Sequence, residues 1–213
     1  MELTPNTDIN KPWTVQIIGR WNPVILSPIG IGRRLFKITD DLPAAGLVAL
    51  FDASSVNGPK VRYGDLEIGV EFDRLTVAAT SSNNRWSQLG SALNVAKLAL
   101  DDLPKTPIFG LGMNLFFRED GKSEPLRRLY PNEWRSRLFS ASLDFRHFLL
   151  GHRIGYRGGD IYLNMYLPEN GDFDIHFLIH LQSSDLAQLQ DWAATPVADI
   201  QSKVEEIMGT VAK

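Results

Sequence analysis

The stretch DIYLNMYLPENGDFDIHFLIHL, residues 160–181, decides the fold because apolar and polar side chains alternate on both sides of a short polar turn. The apolar positions are Ile161, Leu163, Met165, Phe173, Ile175, Phe177 and Ile179. Alternation of this kind is typical of a hairpin with one buried face. The sequence therefore predicts two antiparallel strands, Asp160–Leu167 and Phe173–Leu181, joined over Pro168–Asp172.

The second face of this hairpin carries polar and aromatic side chains. Pairing Leu167 with Phe173 sets the cross-strand neighbours. They are Tyr166 with Asp174, Asn164 with His176, Tyr162 with Leu178, and Asp160 with His180. A tight turn at Gly158-Gly159 adds a third strand, Leu143–Tyr156, and brings Arg153 beside Asn164. The candidate binding surface consists of Arg153, Tyr162, Asn164, Tyr166, His176 and His180.

This surface favours binding over chemistry. Tyr and Arg are enriched where proteins contact each other, although an ordinary solvent-facing sheet is the alternative interpretation. A contact of Asp160 with His180, or of Asp174 with His176, could orient a general base, but no serine or cysteine nucleophile shares the patch. His176 and His180 lie about 13 Å apart along a strand, too far to share a metal ion. We therefore expect no catalytic residue, no metal and no cofactor.

The first half of the chain repeats the same plan. Leu66–Phe72 alternates, and after a two-residue turn at Asp73-Arg74 the apolar positions continue at Leu75, Val77 and Ala79. A helix follows, capped by Ser82, Asn83 or Asn84 and ended by Pro104. Its apolar stripe, spaced by three and four residues, is Trp86, Leu89, Leu93, Ala96, Leu100 and Leu103. We also expect strands at Trp13–Arg20, Val24–Leu26 and Ile108–Phe117, and either a short strand or a helical turn at Leu47–Phe51.

Two helices are predicted to close the chain. The first is opened by Ser183 or Ser184, and the second has Thr195 as its N-cap with Pro196 at the first helical position. The predicted class is therefore α+β, with two related lobes that are each an antiparallel β-meander covered by a helix. The lobes span residues 1–117 and 141–213, and a connector spans residues 118–140.

This order of segments resembles a sporadically distributed family of uncharacterised bacterial proteins. The matching pieces are Asn22-Pro23-Val24, Leu75–Ser81, Arg85-Trp86, Gly110–Asn114 and Phe173–His180 before a long final helix. The family tends to carry two aspartates late in the last strand, whereas this chain has Asp174, His176 and His180 there. The resemblance implies a fold and no activity, because the biochemical role of the family is not established.

The amino-acid composition limits the cellular compartments in which the protein is expected. The chain has 213 residues, no cysteine and a net charge of −3. Without cysteine it has no disulfide or thiolate chemistry, and its polar first ten residues, MELTPNTDIN, do not form a signal peptide. No apolar run approaches the roughly 20 residues of a membrane-spanning helix. We therefore expect a cytoplasmic protein without a membrane partner.

Basic residues are concentrated in the middle of the chain. Residues 118–157 hold nine Lys/Arg and five Asp/Glu, whereas residues 158–213 hold two and nine. The basic connector consists of Arg127, Arg128, Trp134, Arg135 and Arg137. Mixed aromatic and basic residues are typical of nucleic-acid binders, but a solvated connector anchored by Trp134 is the favoured interpretation. Gly30-Ile31-Gly32 before Arg33 lacks the remaining residues of a phosphate loop.

Three functional hypotheses follow. The first is a non-enzymatic binding or accessory protein that acts through protein–protein contacts, including self-association, at the sheet face and connector. The second is a small-molecule-binding or catalytic protein with a pocket between the lobes. The third is nucleic-acid binding through the connector. The sporadic occurrence of the resembled family adds the hypothesis of a mobile-element or phage-defence context.

Overall fold

A computed structural model gives the architecture of the chain. It describes residues 3–8, 10–21, 28–38, 47–50, 60–102, 106–129, 147–168 and 171–211. The strands are β1 (Thr4–Pro5), β2 (Thr14–Gly19), β3 (Val48–Leu50), β4 (Lys60–Tyr63), β5 (Leu66–Val70), β6 (Arg74–Ala79), β7 (Ile108–Glu119), β8 (His147–Tyr156), β9 (Gly159–Pro168) and β10 (Phe173–Gln182). The helices are α1 (Pro28–Leu35), α2 (Arg85–Asp102), α3 (Glu124–Arg128), α4 (Leu186–Ala193) and α5 (Val197–Val211).

All ten strands belong to one antiparallel sheet in the order β3-β4-β5-β6-β2-β7-β10-β9-β8, with β1 paired to β7. The long strand β7 pairs with β2 and β1 along one edge and with β10 along the other. The sheet is therefore continuous across residue 117. The predicted α+β class is confirmed, whereas the organisation into two related lobes stays a prediction.

The helices cover one face of this sheet. Alternate residues of the strands are buried there, as in the burial of Ile161, Leu163 and Met165 of β9. Each of the five described helices adds buried residues to the same core, from Ile31 in α1 to Ile200 in α5. The predicted core positions Leu89, Leu93, Leu100, Ile175, Phe177, Ile179, Ile200 and Val204 are buried, and Trp86 is partly buried. We call the opposite side of the sheet the open face.

Two hairpin turns differ from the sequence prediction by one position. Between β5 and β6, Glu71 bonds back to Arg74, so the turn is Phe72-Asp73 and not Asp73-Arg74. Phe72 consequently leaves the apolar face and is 71% exposed. Between β8 and β9 the turn is Arg157-Gly158 and not Gly158-Gly159. Both of its residues have positive φ, 47° and 79°, as a type I′ turn requires.

The helix ends and α1 also differ from expectation. Asp185, not a serine, caps α4, because its carboxylate accepts from the amides of Ala187 and Gln188. The hydroxyl of Thr195, the predicted N-cap of α5, donates to the carbonyl of Trp192. The glycine-rich segment at Gly30 lies in α1, which the sequence did not predict. Val24–Leu26, Phe51, residues 143–146, Leu103 and Pro104 lie outside the described residues.

Equivalent features recur in the two halves. The β4–β5 hairpin has a two-residue turn and an ion pair of Lys60 with Glu67 at 3.3 Å. The β8–β9 hairpin has the same turn length and an ion pair of Arg153 with Asp160 at 2.8 Å, and both residues lie 93 positions after their counterparts. The amide of Asn83 donates to Ser81 Oγ, and 102 positions later that of Asp185 donates to Ser183 Oγ.

The position of α2 is testable at Leu93, which is 3% exposed in the core. Leu93→Ala should lower the free energy of unfolding by roughly 2–5 kcal/mol, because it removes buried methyl groups and leaves a cavity. Chemical denaturation measures this loss. The control is Asn94→Ala, an exposed neighbour on the same helix. Equal stability of the two variants would contradict the placement of α2 on the sheet.

Candidate functional site

The predicted binding residues all lie on the open face. The β9–β10 register predicted from sequence is confirmed, with Asn164 opposite His176 and Asp160 opposite His180. On the β8 side the register is displaced by two residues, so Arg153 lies opposite Tyr162 and not opposite Asn164. A displacement of two residues keeps side chains on the same face. Arg153 therefore remains on the predicted surface with a different neighbour.

An ion pair occupies the outer part of this surface. Arg153 donates two hydrogen bonds to Asp160, from Nε at 2.9 Å and from Nη2 at 2.8 Å, and its guanidinium lies 5.8 Å from the ring centre of Tyr162. The hydrogen bond from Arg153 lowers the pKa of Asp160, and the same bond raises the pKa of Arg153. Both carboxylate oxygens of Asp160 accept hydrogen bonds from Arg153. Asp160 therefore does not orient His180 to act as a general base.

A polar chain crosses the centre of the open face. Asn114 donates from Nδ2 to Thr14 Oγ1 at 3.2 Å, and its carboxamide oxygen lies 3.0 Å from His176 Nε2. The oxygen can only accept, so His176 carries its hydrogen on Nε2. The imidazole also stacks on Phe116 with ring centres 4.5 Å apart. Burial lowers the pKa of His176, which keeps the ring neutral near pH 7.

A second cluster joins the segment before β2 to the sheet. Asp174 accepts from Lys11 Nζ at 2.7 Å and from Asn6 Nδ2 at 3.1 Å. Asp174 therefore does not contact His176 as a catalytic carboxylate would. Tyr166 lies opposite Asp174, and the ring of His180 lies 5.7 Å from that of Tyr162. Within the described residues, no group of three or more His, Asp or Glu side chains could hold a metal ion.

Each cation on the described open face is already paired. Arg62 and Lys60 contact Glu67, Arg74 contacts Asp73 and Glu71, and Arg118 lies 3.6 Å from Asp172. Lys11 and Arg153 are paired as described above. With His176 neutral, the surface carries little uncompensated positive charge. Nucleic-acid binding needs such charge, because it displaces counterions from the phosphates.

Only part of the basic connector is described. Arg127 and Arg128 lie in α3, where Arg127 Nε donates to the carbonyl of Gly121 and Arg128 contacts Glu124 at 3.4 Å. Trp134, Arg135 and Arg137 lie outside the described residues. The described cations of α3 are thus engaged in local contacts.

Glycines of the open face were not among the predicted binding residues. Seven glycines lie in the described strands, and a side chain at Gly19, Gly110 or Gly159 would press on backbone carbonyl oxygens. Four others have room for a Cβ: Gly69, Gly112, Gly151 and Gly155. A Cβ at Gly155 would meet no atom within 4 Å, and the other three would meet ordinary contacts of 3.4–3.6 Å. All four lie on the open face and have no positive φ.

A groove lies at the edge of the helical side. Its volume is about 760 Å³. The described residues that line it are Leu3, Pro5, Trp86, Phe117, Gln201, Val204 and Glu205. Trp86 packs edge-on against Trp13 with ring centres 4.7 Å apart, and Gln201 donates to Glu205 at 2.9 Å. Strands and helices of the first half thus form one wall, and α5 forms the other.

Comparisons with protein-family models, curated proteins and solved structures find no match to this chain. Within the described part of the chain, no helix is long and apolar enough to cross a membrane. Function must therefore be argued from the surfaces themselves.

The burial of His176 predicts a pH dependence of stability. The folded-state pKa lies below the unfolded value of about 6.5, so the unfolded chain binds more protons as the pH falls below this value. Stability should therefore fall on acidification from about pH 6.5 towards the folded pKa. His176→Gln should remove this component, and denaturant titrations of both proteins at several pH values measure it. Parallel pH profiles of the two proteins would contradict the assignment.

Proposed function

We propose that the chain is a non-enzymatic binding or accessory protein that docks another protein surface on its open face. The observation that carries this proposal is the set of three accessible glycines with room for a side chain, Gly69, Gly151 and Gly155. Glycine weakens a strand interior and is common where another backbone approaches closely. Since no described residue requires these positions to be glycine, we assign them to the approach of a molecule from outside.

The chemistry of the surrounding side chains supports a protein partner. Tyr162, His176 and His180 give contact area and directional hydrogen bonds, and Tyr and Arg dominate binding energy at many interfaces. The charges of Arg153 and Asp160 are mutually satisfied, so they can be covered without leaving an unpaired ion. Because the described cations are neutralised in this way, nucleic acid is the less favoured partner. A mobile-element or phage-defence context remains a hypothesis.

We also propose that the two halves are related lobes. The strand order is the same on each side of the β2–β7 pair, reading outwards as β6-β5-β4 and β10-β9-β8. The matching ion pairs of Lys60–Glu67 and Arg153–Asp160 and the matching Ser81 and Ser183 turns support a tandem repeat. In this interpretation the open face carries two similar half-surfaces that meet at Thr14 and Asn114.

Site-specific photo-cross-linking tests the binding proposal. A benzophenone amino acid at position 162, expressed in cells that carry the gene, should give a nuclease-resistant protein adduct. Arg153→Ala should reduce its yield several-fold while leaving the melting temperature nearly unchanged, because an exposed ion pair contributes about 1 kcal/mol or less.

The control places the cross-linker at Asn94, an exposed residue of α2 on the helical side of the sheet. Equal protein adducts from both positions would remove the support for a specific surface. An adduct that nuclease digests would favour nucleic acid instead.

The groove favours a second candidate function, small-molecule binding between the halves. Trp86 and Phe117 provide aromatic surface, and Glu205 has no cation partner within the described contacts. Aromatic rings beside a carboxylate suit an organic cation. Calorimetry with benzyltrimethylammonium should detect binding that is weakened about tenfold or more by Glu205→Gln, because that change removes the negative charge.

Glu206→Gln is the matched control, because Glu206 is the next residue of α5 and pairs with Lys203 outside the groove. Heat signals that are absent in the unmodified protein, or lost equally in both variants, would exclude this candidate.

A further inference from the structure

The open face has the size that a stable dimer needs. Nine strands about 4.8 Å apart, with about seven residues each of roughly 3.4 Å, cover on the order of 1,000 Å². A standard protein–protein interface buries about 800 Å² on each partner. A single copy of the same face could therefore cover this surface completely.

The open face has both projecting side chains and recesses, so its shape can be complementary to a second copy of itself. Positions without side chains lie directly beside large ones in the same cross-strand rows, as Gly151 lies beside Asn164 and Gly69 beside Lys60. A twofold interface requires one surface that offers both projections and recesses. The open face offers both, and projections of one copy can enter the glycine recesses of the other.

Electrostatics does not oppose contact between two copies. The described cations of the face each have an adjacent anion, as with Arg153 and Asp160 at 2.8 Å or Lys11 and Asp174 at 2.7 Å. Two such faces meet without a surplus of like charge. Asn114 and His176 are also hydrogen-bonded within the chain, so covering them leaves few polar groups without partners.

From these observations we propose that the occupant of the open face is a second copy of this chain, packed sheet against sheet about a twofold axis. The inference rests on the proposed function, since it names the protein that docks on the same surface. Sheets that pack face to face keep about 10 Å between them when side chains interdigitate, and glycine recesses allow this fit over a polar face.

Sedimentation equilibrium over a range of concentrations tests this inference. The chain should have an apparent mass approaching twice 23.9 kDa at micromolar concentration. Gly155→Val and Gly151→Ala should each raise the dimer dissociation constant roughly ten- to hundredfold, because added side chains overfill the recesses. Neither substitution should lower the melting temperature of the monomer, since both positions have room for a Cβ within the chain.

Gly209→Ala is the control, because a side chain at this α5 position would also meet no atom within 4 Å and lies away from the open face. Its dissociation constant should be unchanged. A dimer that survives both open-face substitutions uses another surface, such as the outer edge of β8, and overturns the inference. A monomer at all concentrations also overturns it, yet leaves the proposed function intact if position 162 still cross-links to a different protein.

Discussion

The two-sided pairing of β7 is the constraint on which the rest of the structure depends. Its amides and carbonyls bond to β2 and β1 on one edge and to β10 on the other. Side chains alternate between the two faces along a strand. The buried positions Leu111 and Met113 of β7 therefore determine which face of the sheet is buried in both halves of the chain. A slip of one residue on either edge would turn the apolar face of half the sheet to solvent.

One consequence is that all described helices must gather on one side. α2 follows the first set of strands and α4 and α5 follow the second, and their apolar stripes meet the same continuous core. Among the described residues, the other side of this wide sheet is therefore not covered by a helix. Its first half includes Thr14, Lys60 and Glu67, residue types that usually fill a solvated face, whereas its second half carries Tyr162, His176 and His180.

The sequence predicted which residues share the open face, because the alternation of apolar and polar residues along a strand shows on which side of the sheet each side chain lies. It predicted the turns less well, and both errors have the same physical cause. Moving a two-residue turn by one position displaces the register by two residues and leaves parity unchanged, so the apolar pattern does not decide between the alternatives. Turn conformation decides instead, and it placed Arg157 at positive φ where a glycine pair was expected. Helix α1 was missed because Gly30 and Gly32 are poor helix formers.

The sequence could not show which glycines of the open face have room for a side chain, because this depends on the atoms around each one in the fold. Gly110 and Gly112 are two residues apart in β7, yet only Gly110 is confined by a neighbouring carbonyl. Glycine costs roughly 0.5–1 kcal/mol relative to alanine in a strand, so four unconfined positions cost roughly 2–4 kcal/mol. That is a large share of a typical domain stability of about 5–15 kcal/mol. Such a loss persists where function opposes the more stable residue, and this energetic cost supports the proposal that the chain binds through its open face.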